Sequence, residues 1–214
     1  MTKSSPERIL TEALRLFAER GYWVTSVADI EAASGLSPGA GGLYRHFRSK
    51  YEVLVAVIDA HTAHAEGLHA VCAARGESDG TLESRLRRIC EDGLAAMVRH
   101  RKINQVLFRD LGRFPELVEI IREGMLQPMY DAMAAWFKAQ PEYSEVEADW
   151  QAISAVLGGS VVHYWMFQET VTEPPGRVEA ERFVAAWVSL ALGLLGQARA
   201  AGVETAVEVG TVGE

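Results

Sequence analysis

Apolar residues recur at helical spacing along almost the whole of this chain. No segment alternates apolar and polar residues with the period of two that a half-buried strand requires. The chain is therefore expected to be all-α. Ile9, Leu10, Ala13, Leu16 and Phe17 share one helical face, with Ser5 as cap, Pro6 in the first turn and Gly21 just past the end. A short second helix is expected over about 27–33, capped by Thr25 or Ser26 and closed by Gly35. A third begins after Ser37 and includes Leu43, Tyr44 and Phe47. A fourth starts at Ser49, where Ser49-x-x-Glu52 has the spacing of a capping box, and runs to about Ala74. Further helices fit 82–99, 103–111, 115–122, 125–139, 145–168 and 178–200, punctuated by Gly and Pro.

Hydrophobic residues make up 49% of the 214, enough for a sizeable core, yet no run approaches the ~18 apolar residues that a membrane span needs. The first residues lead into an amphipathic pattern and not into a signal peptide, so no membrane role and a cytoplasmic location are expected. The two cysteines, Cys72 and Cys90, form no CxxC and suggest neither zinc nor a disulfide framework. His61 and His64 share a spacing that suits a metal but lack a third ligand. Gly39-x-Gly41-Gly42 is not a dinucleotide fingerprint, since no strand precedes it and the sixth position is Tyr44. No nucleophile–base pair or paired-carboxylate motif stands out, so neither catalytic residues nor a cofactor are expected.

The net charge of −8 argues against a nucleic-acid partner until its distribution is considered. Residues 1–50 carry seven Lys or Arg against five Asp or Glu, whereas residues 51–214 carry fourteen against twenty-four. Between 36 and 50 stand Arg45, Arg48 and Lys50 with no acid. A small basic patch on an acidic body is an electrostatic footprint for DNA. The same stretch holds a helix-turn-helix pattern: two short helices joined by Ala33-Ser34-Gly35-Leu36-Ser37, with a glycine for the tight turn, an apolar plug and a capping serine.

The ordered run Arg8-Ile9-Leu10, Leu16-Phe17-Ala18-Glu19-Arg20-Gly21-Tyr22, Thr25-Ser26-Val27-Ala28-Asp29-Ile30, Ser34-Gly35-Leu36-Ser37 and Leu43-Tyr44-Arg45-His46-Phe47-Arg48-Ser49-Lys50 resembles the DNA-binding domain of the TetR family. Arg113-Phe114-Pro115-Glu116-Leu117 also looks like a family habit. The resemblance implies a phosphate contact from Thr25 or Ser26 and a groove-facing Ser37, Gly39 and Ala40. It further implies phosphate or base contacts from Tyr44 and His46 and a phosphate contact from Lys50, to which the basic patch adds Arg45. One departure stands out. Ser37 and Tyr44 are seven positions apart, against about five in the family, which reads as a two-residue glycine-rich insertion. Each glycine costs a helix about 1 kcal/mol relative to alanine. The reading element is therefore expected to be half helix and half loop, ordering on DNA.

Three segments follow: a helix-turn-helix domain over 1–50, a helical ligand-binding and dimerisation domain over 51–201, and a tail over 202–214. Large apolar groups with interspersed polar ones suggest a ligand cavity in the second, with Asn104, Phe108, Arg109, Met129, Trp136, His163, Trp165 and Phe167 as candidate lining residues. The last helix carries two apolar stripes, Phe183-Trp187-Leu190-Leu194 and Val184-Val188-Ala191-Leu195, and the preceding one carries Gly158-Gly159-Ser160. Together they suggest a four-helix interface in a homodimer. The expected function is a ligand-responsive repressor, released from a pseudo-palindromic double-stranded operator by a small hydrophobic or aromatic effector. The alternative is a helix-turn-helix regulator controlled by a protein partner, or an activator without a small-molecule ligand.

Overall fold

A computed structural model describes residues 5–61, 80–143, 148–171 and 173–193, and all of the regular structure among them is helical. The expectations for His64, Cys72, the far part of the fourth helix, residues 194–200 of the last helix and the 202–214 tail lie outside the described residues.

The described residues form two compact units: 5–61 with 100–126, and 80–99 with 127–193. In the first, α1 (Ser5–Arg20) buries the predicted stripe of Ile9, Ala13, Leu16 and Phe17. It ends at Gly21, whose φ of 95° lies in the left-handed region that favours glycine. α2 (Val27–Ala33) is capped by Ser26, whose hydroxyl accepts from the Asp29 amide while the Asp29 carboxylate accepts from the Ser26 amide. Ser26, and not Thr25, is the cap. α3 occupies 50–61 and contributes Val53, Leu54, Val57 and Ile58 to the core. α5 (Arg101–Asp110) adds Ile103, Val106 and Leu107, and α6 (Pro115–Ile121) adds Leu117 and Ile121. A π-helical stretch, Arg122–Leu126, follows α6.

The Ser26 cap yields a stability prediction. Ser26→Ala should destabilise the protein by about 1 kcal/mol, read as a lower urea midpoint with unchanged slope. Hydrogen bonds from the Ser26 side chain and backbone hold the Asp29 carboxyl below its ordinary range. The capping-box contribution is accordingly present above the ordinary carboxylate range and lost as pH falls through the depressed folded-state value.

The second unit is built from α4 (Leu82–Arg99), α7 (Gln127–Lys138), α8 (Trp150–Val171) and α9 (180–193). Leu86, Cys90, Met133, Phe137, Trp150, Leu157, Val161, Val184, Trp187 and Val188 form its core. The Trp187 indole N–H donates to the Leu157 carbonyl at 3.0 Å, locking α9 to α8. Arg85 makes a buried tie, donating to both Glu142 carboxylate oxygens at 2.9 Å and to the Gly80 carbonyl at 2.8 Å. Of the two apolar stripes expected on α9, one is core (Val184, Val188, Ala191), joined by Trp187 from the other, while Leu190 points to the surface.

The third helix of the N-terminal domain differs from expectation. Residues 38–41 form turns, and the only helical geometry is one 3-10 turn at Leu43–Arg45. Gly39 and Gly41 both sit at φ 73°, which interrupts any α-helix through them.

Candidate nucleic-acid interface and ligand cavity

The loop that replaces the third helix has its own internal order. The Glu31 carboxylate, wholly buried, accepts from the Gly39 amide at 2.7 Å and from the Leu43 amide at 3.0 Å. Ala40 N–H donates to the Ser37 carbonyl, and Tyr44 N–H to that of Gly41. Leu36 fills the space that a Cβ at Gly42 would enter, approaching to 3.4 Å. The expectation that this segment orders only on DNA is thus corrected: bonds within the chain hold it. Beneath it, the Leu43 side chain is fully buried. Ser37, Gly39, Ala40, Tyr44, Arg45 and His46 are all exposed, and Tyr44 is 56% exposed despite its ring. These six predicted residues are exposed along a segment that also carries Arg48 and has no carboxylate between 36 and 50.

Two predicted phosphate contacts turn inward. Thr25 is only 1% exposed, and its hydroxyl donates to the Gly21 carbonyl at 2.8 Å. Of the Thr25/Ser26 pair, only Ser26 presents its side chain to solvent. Lys50 lays its ammonium over the Tyr22 ring, 4.2 Å from the centroid, and donates at 2.8 Å to the carbonyls of Tyr22 and Thr25. Burial lowers its pKa, an effect that the Asp110 charge opposes. Two of its three donors are spent on holding the turn between α1 and α2, which leaves one for a phosphate.

That turn is gripped from α5 as well. Arg109 donates to the carbonyls of Phe17 and Ala18 at the end of α1, the latter at 2.8 Å. The Asp110 carboxylate, buried, accepts from the Tyr22 amide at 3.1 Å. Tyr22, Trp23 and Phe114 form an aromatic cluster in which Trp23 and Phe114 stack nearly parallel at 5.6 Å. Sequence reasoning missed Glu31 and Asp110 altogether and placed Arg109 at the ligand. Removing Asp110 with alanine strands the Tyr22 amide and takes away a charge near Lys50. The expected cost is about 2–3 kcal/mol in urea unfolding, with Asp110→Asn losing less because its amide oxygen still accepts.

In the second unit, a cavity of about 250 Å³ opens between α4, α7, α8 and α9. Met97, Met129, Met133, Trp136, Val161 and Trp187 give it apolar walls, and α4 adds Arg88, Asp92 and Arg99. Gly158 belongs to the same wall, and a Cβ there would come within 3.1 Å of the Tyr130 ring. Of the predicted ligand residues, Met129 and Trp136 line this cavity. Asn104, Phe108 and Arg109 lie on α5, which packs against α1 in the first unit, and are not among the walls of this cavity. His163 lines a separate, more open groove with Val156, Gly159, Ser160 and Leu190. Trp165 is buried and Phe167 exposed beside His163, and both are outside the walls of the cavity. Among the described residues no three His, Cys, Asp or Glu side chains gather to hold a metal, and no helix is long and apolar enough to cross a membrane.

Residues 9–57 match the family described as bacterial regulatory proteins, tetR family. Over 53 residues the chain is 38% identical to an uncharacterized HTH-type transcriptional regulator, YerO, of Bacillus subtilis strain 168. That match takes in 25% of this chain and 18% of the relative's length. A putative TetR-family transcriptional regulator from Mesorhizobium loti superposes with a TM-score of 0.71 at 19% identity, covering 89% of this chain and 96% of the other. The fatty acid degradation regulator FadR from Bacillus halodurans does so with a TM-score of 0.67 at 16% identity, covering 90% and 97%. The chain thus carries, over residues 9–57, the DNA-binding segment of the tetR family of bacterial regulatory proteins, and its helical fold is that of solved TetR-family regulators.

Proposed function

We propose that this protein is a cytoplasmic repressor that binds a pseudo-palindromic DNA operator as a homodimer and leaves it when a small apolar or aromatic molecule enters the cavity of the second unit. The reading head is assigned to residues 1–50, with Ser26, Ser37, Gly39, Ala40, Tyr44, Arg45 and His46 facing DNA and Lys50 lending its remaining donor. The observation that carries the effector half of the proposal is the cavity itself. Its methionine and tryptophan walls suit an alkyl or aryl body, and the charged groups of α4 give orientation. The dimer rests on Val156, Gly159 and Leu190, which present an apolar strip on adjacent helices; among the described residues nothing fills the space beside Gly159. Two-fold symmetry would then set the two reading loops about 34–36 Å apart, or a multiple of a helical turn.

The test has two arms. Selection from a random duplex pool should enrich a site with two inverted half-sites; a single asymmetric site would refute the dimeric mode. A thermal-shift screen of small apolar acids, amines and neutral aromatics should find a compound that stabilises the protein, and Trp136→Ala should abolish that shift. A protein partner as the controlling input would leave every compound silent.

A further inference from the structure

We propose that Glu31 positions the DNA-reading element, so that this chain reads its site with a carboxylate-tied loop in place of a recognition helix. The inference rests on the assignment of residues 37–50 to DNA. Glu31 lies on α2 at a register that faces the core, one residue after the fully buried Ile30. A carboxylate taken wholly out of water must have its charge met by donors. Here each oxygen has one: Oε2 faces the amide of Gly39 at 2.7 Å, and Oε1 the amide of Leu43 at 3.0 Å. These two donors bracket the segment in which Gly39 and Gly41 take positive φ. In a helix beginning after Ser37 the Leu43 amide would bond to the Gly39 carbonyl, whereas the Gly39 amide, in the first turn, would have no partner within the helix. With the helix interrupted both amides converge on one side chain instead, and the carboxylate ties together two points of the segment that a helix would not have joined through a single acceptor.

The consequence is for how bases are read. A helix presents side chains. This loop presents Ser37, Gly39 and Ala40 with almost no side-chain bulk, which lets backbone approach a groove closely. It also sets Tyr44 at its far edge, with the Tyr44 amide bonded to Gly41. Shape selection would then depend on the loop being formed before DNA arrives, and the two bonds to Glu31 are what form it. A role in fold stability alone would weaken all DNA binding in proportion to the fraction unfolded. A positioning role weakens the specific site and spares nonspecific phosphate attraction, which depends on charge and not on loop shape.

The experiment uses the full chain and a duplex enriched by the wild-type protein from a random pool, with an unrelated duplex of equal length as control. Glu31→Gln places an amide NH₂ against one of the two backbone N–H groups and should lose one bond. Its affinity for the enriched duplex, by fluorescence anisotropy, is expected to fall about 10-fold or more, with the control duplex within about 2-fold. The Gly39 and Leu43 amide resonances should shift in the ¹H–¹⁵N spectrum. Gly39→Ala leaves Glu31 in place but forces a side chain into the left-handed region, and it should reproduce the selective loss. Should Glu31→Gln fail to fold by circular dichroism, Gly39→Ala decides. Unchanged affinity for the enriched duplex in a folded variant, or an equal loss on both duplexes, would overturn the inference while the DNA-binding reading stood. A wild-type protein that enriches no duplex would overturn that reading and the inference with it.

Discussion

Leu190→Glu is expected to convert the protein from a dimer to a monomer at micromolar concentration and to abolish binding to the paired operator. Leu190 is 64% exposed in the single chain and stands at the end of the groove that holds Val156, Gly159 and His163. Its neighbours on α9, Val188 and Ala191, are fully engaged in the core of the second unit, so a substitution at 190 leaves that core intact. In a two-fold interface the change occurs twice. Forgoing burial of one leucine side chain gives up about 1.5–3 kcal/mol, hence about 3–6 kcal/mol for the pair. That alone is a weakening on the order of 10²–10⁴-fold, and placing a carboxylate in the same site adds to it. Light scattering reads the oligomeric state, and anisotropy on the operator reads the consequence. A variant that remains dimeric at micromolar concentration would move the interface away from this face. Gly159→Leu should weaken the dimer less, since it obstructs the groove without introducing charge.

Why the all-helical architecture could be seen in the amino-acid pattern is a matter of period. Ile9, Ala13, Leu16 and Phe17 mark a buried stripe because their spacing admits only one helical face. The Thr25-Ser26 pair marks a start, with Ser26 the cap in the structure, and Gly21 a stop, since caps are local chemistry. What local pattern does not carry is the partner across space. Lys50 looks like a phosphate ligand until Tyr22 and Thr25 are seen to offer it two carbonyls. Arg109 and Asp110 look like polar groups in an apolar domain, whereas their partners lie some ninety positions earlier, at Phe17, Ala18 and Tyr22. Glu31 did leave a trace. It is the one charged residue on the inward face of α2, and a charge in a core register asks what satisfies it. The glycines that follow eight and ten residues later were the other half of that answer.

Saturating operator is expected to weaken binding of the effector about 100-fold, which corresponds to roughly 2.7 kcal/mol of coupling. The chain passes between the two units on either side of 100–126. Ala96 and Met97 line the cavity near the end of α4; past His100, which breaks the helix, the chain enters α5, where Ile103 is core of the N-terminal unit. On the return, Met125 packs against that same core, and Met129, four residues on, is cavity wall, with the π-helical stretch ending at Leu126. A ligand that displaces Met97 or Met129 thus acts on backbone one or two turns from α5 and α6. The far end of α5 carries Arg109 and Asp110, which hold the end of α1 and the Tyr22 turn that leads into α2. Coupling along such a route is read by measuring the two equilibria together. The effector must favour the state that cannot hold DNA, because a ligand indifferent to the two states shifts neither. Reciprocity then requires operator to oppose effector by the same factor that effector opposes operator. Calorimetric titration of a stabilising compound, with and without saturating operator, reads both sides. Equal affinities in the two titrations would eliminate allosteric release for that compound, even with tight binding of both partners. In Asp110→Ala the ratio should fall toward unity with the effector's affinity for the DNA-free protein unchanged, since Asp110 is outside the cavity walls and within the grip on Tyr22.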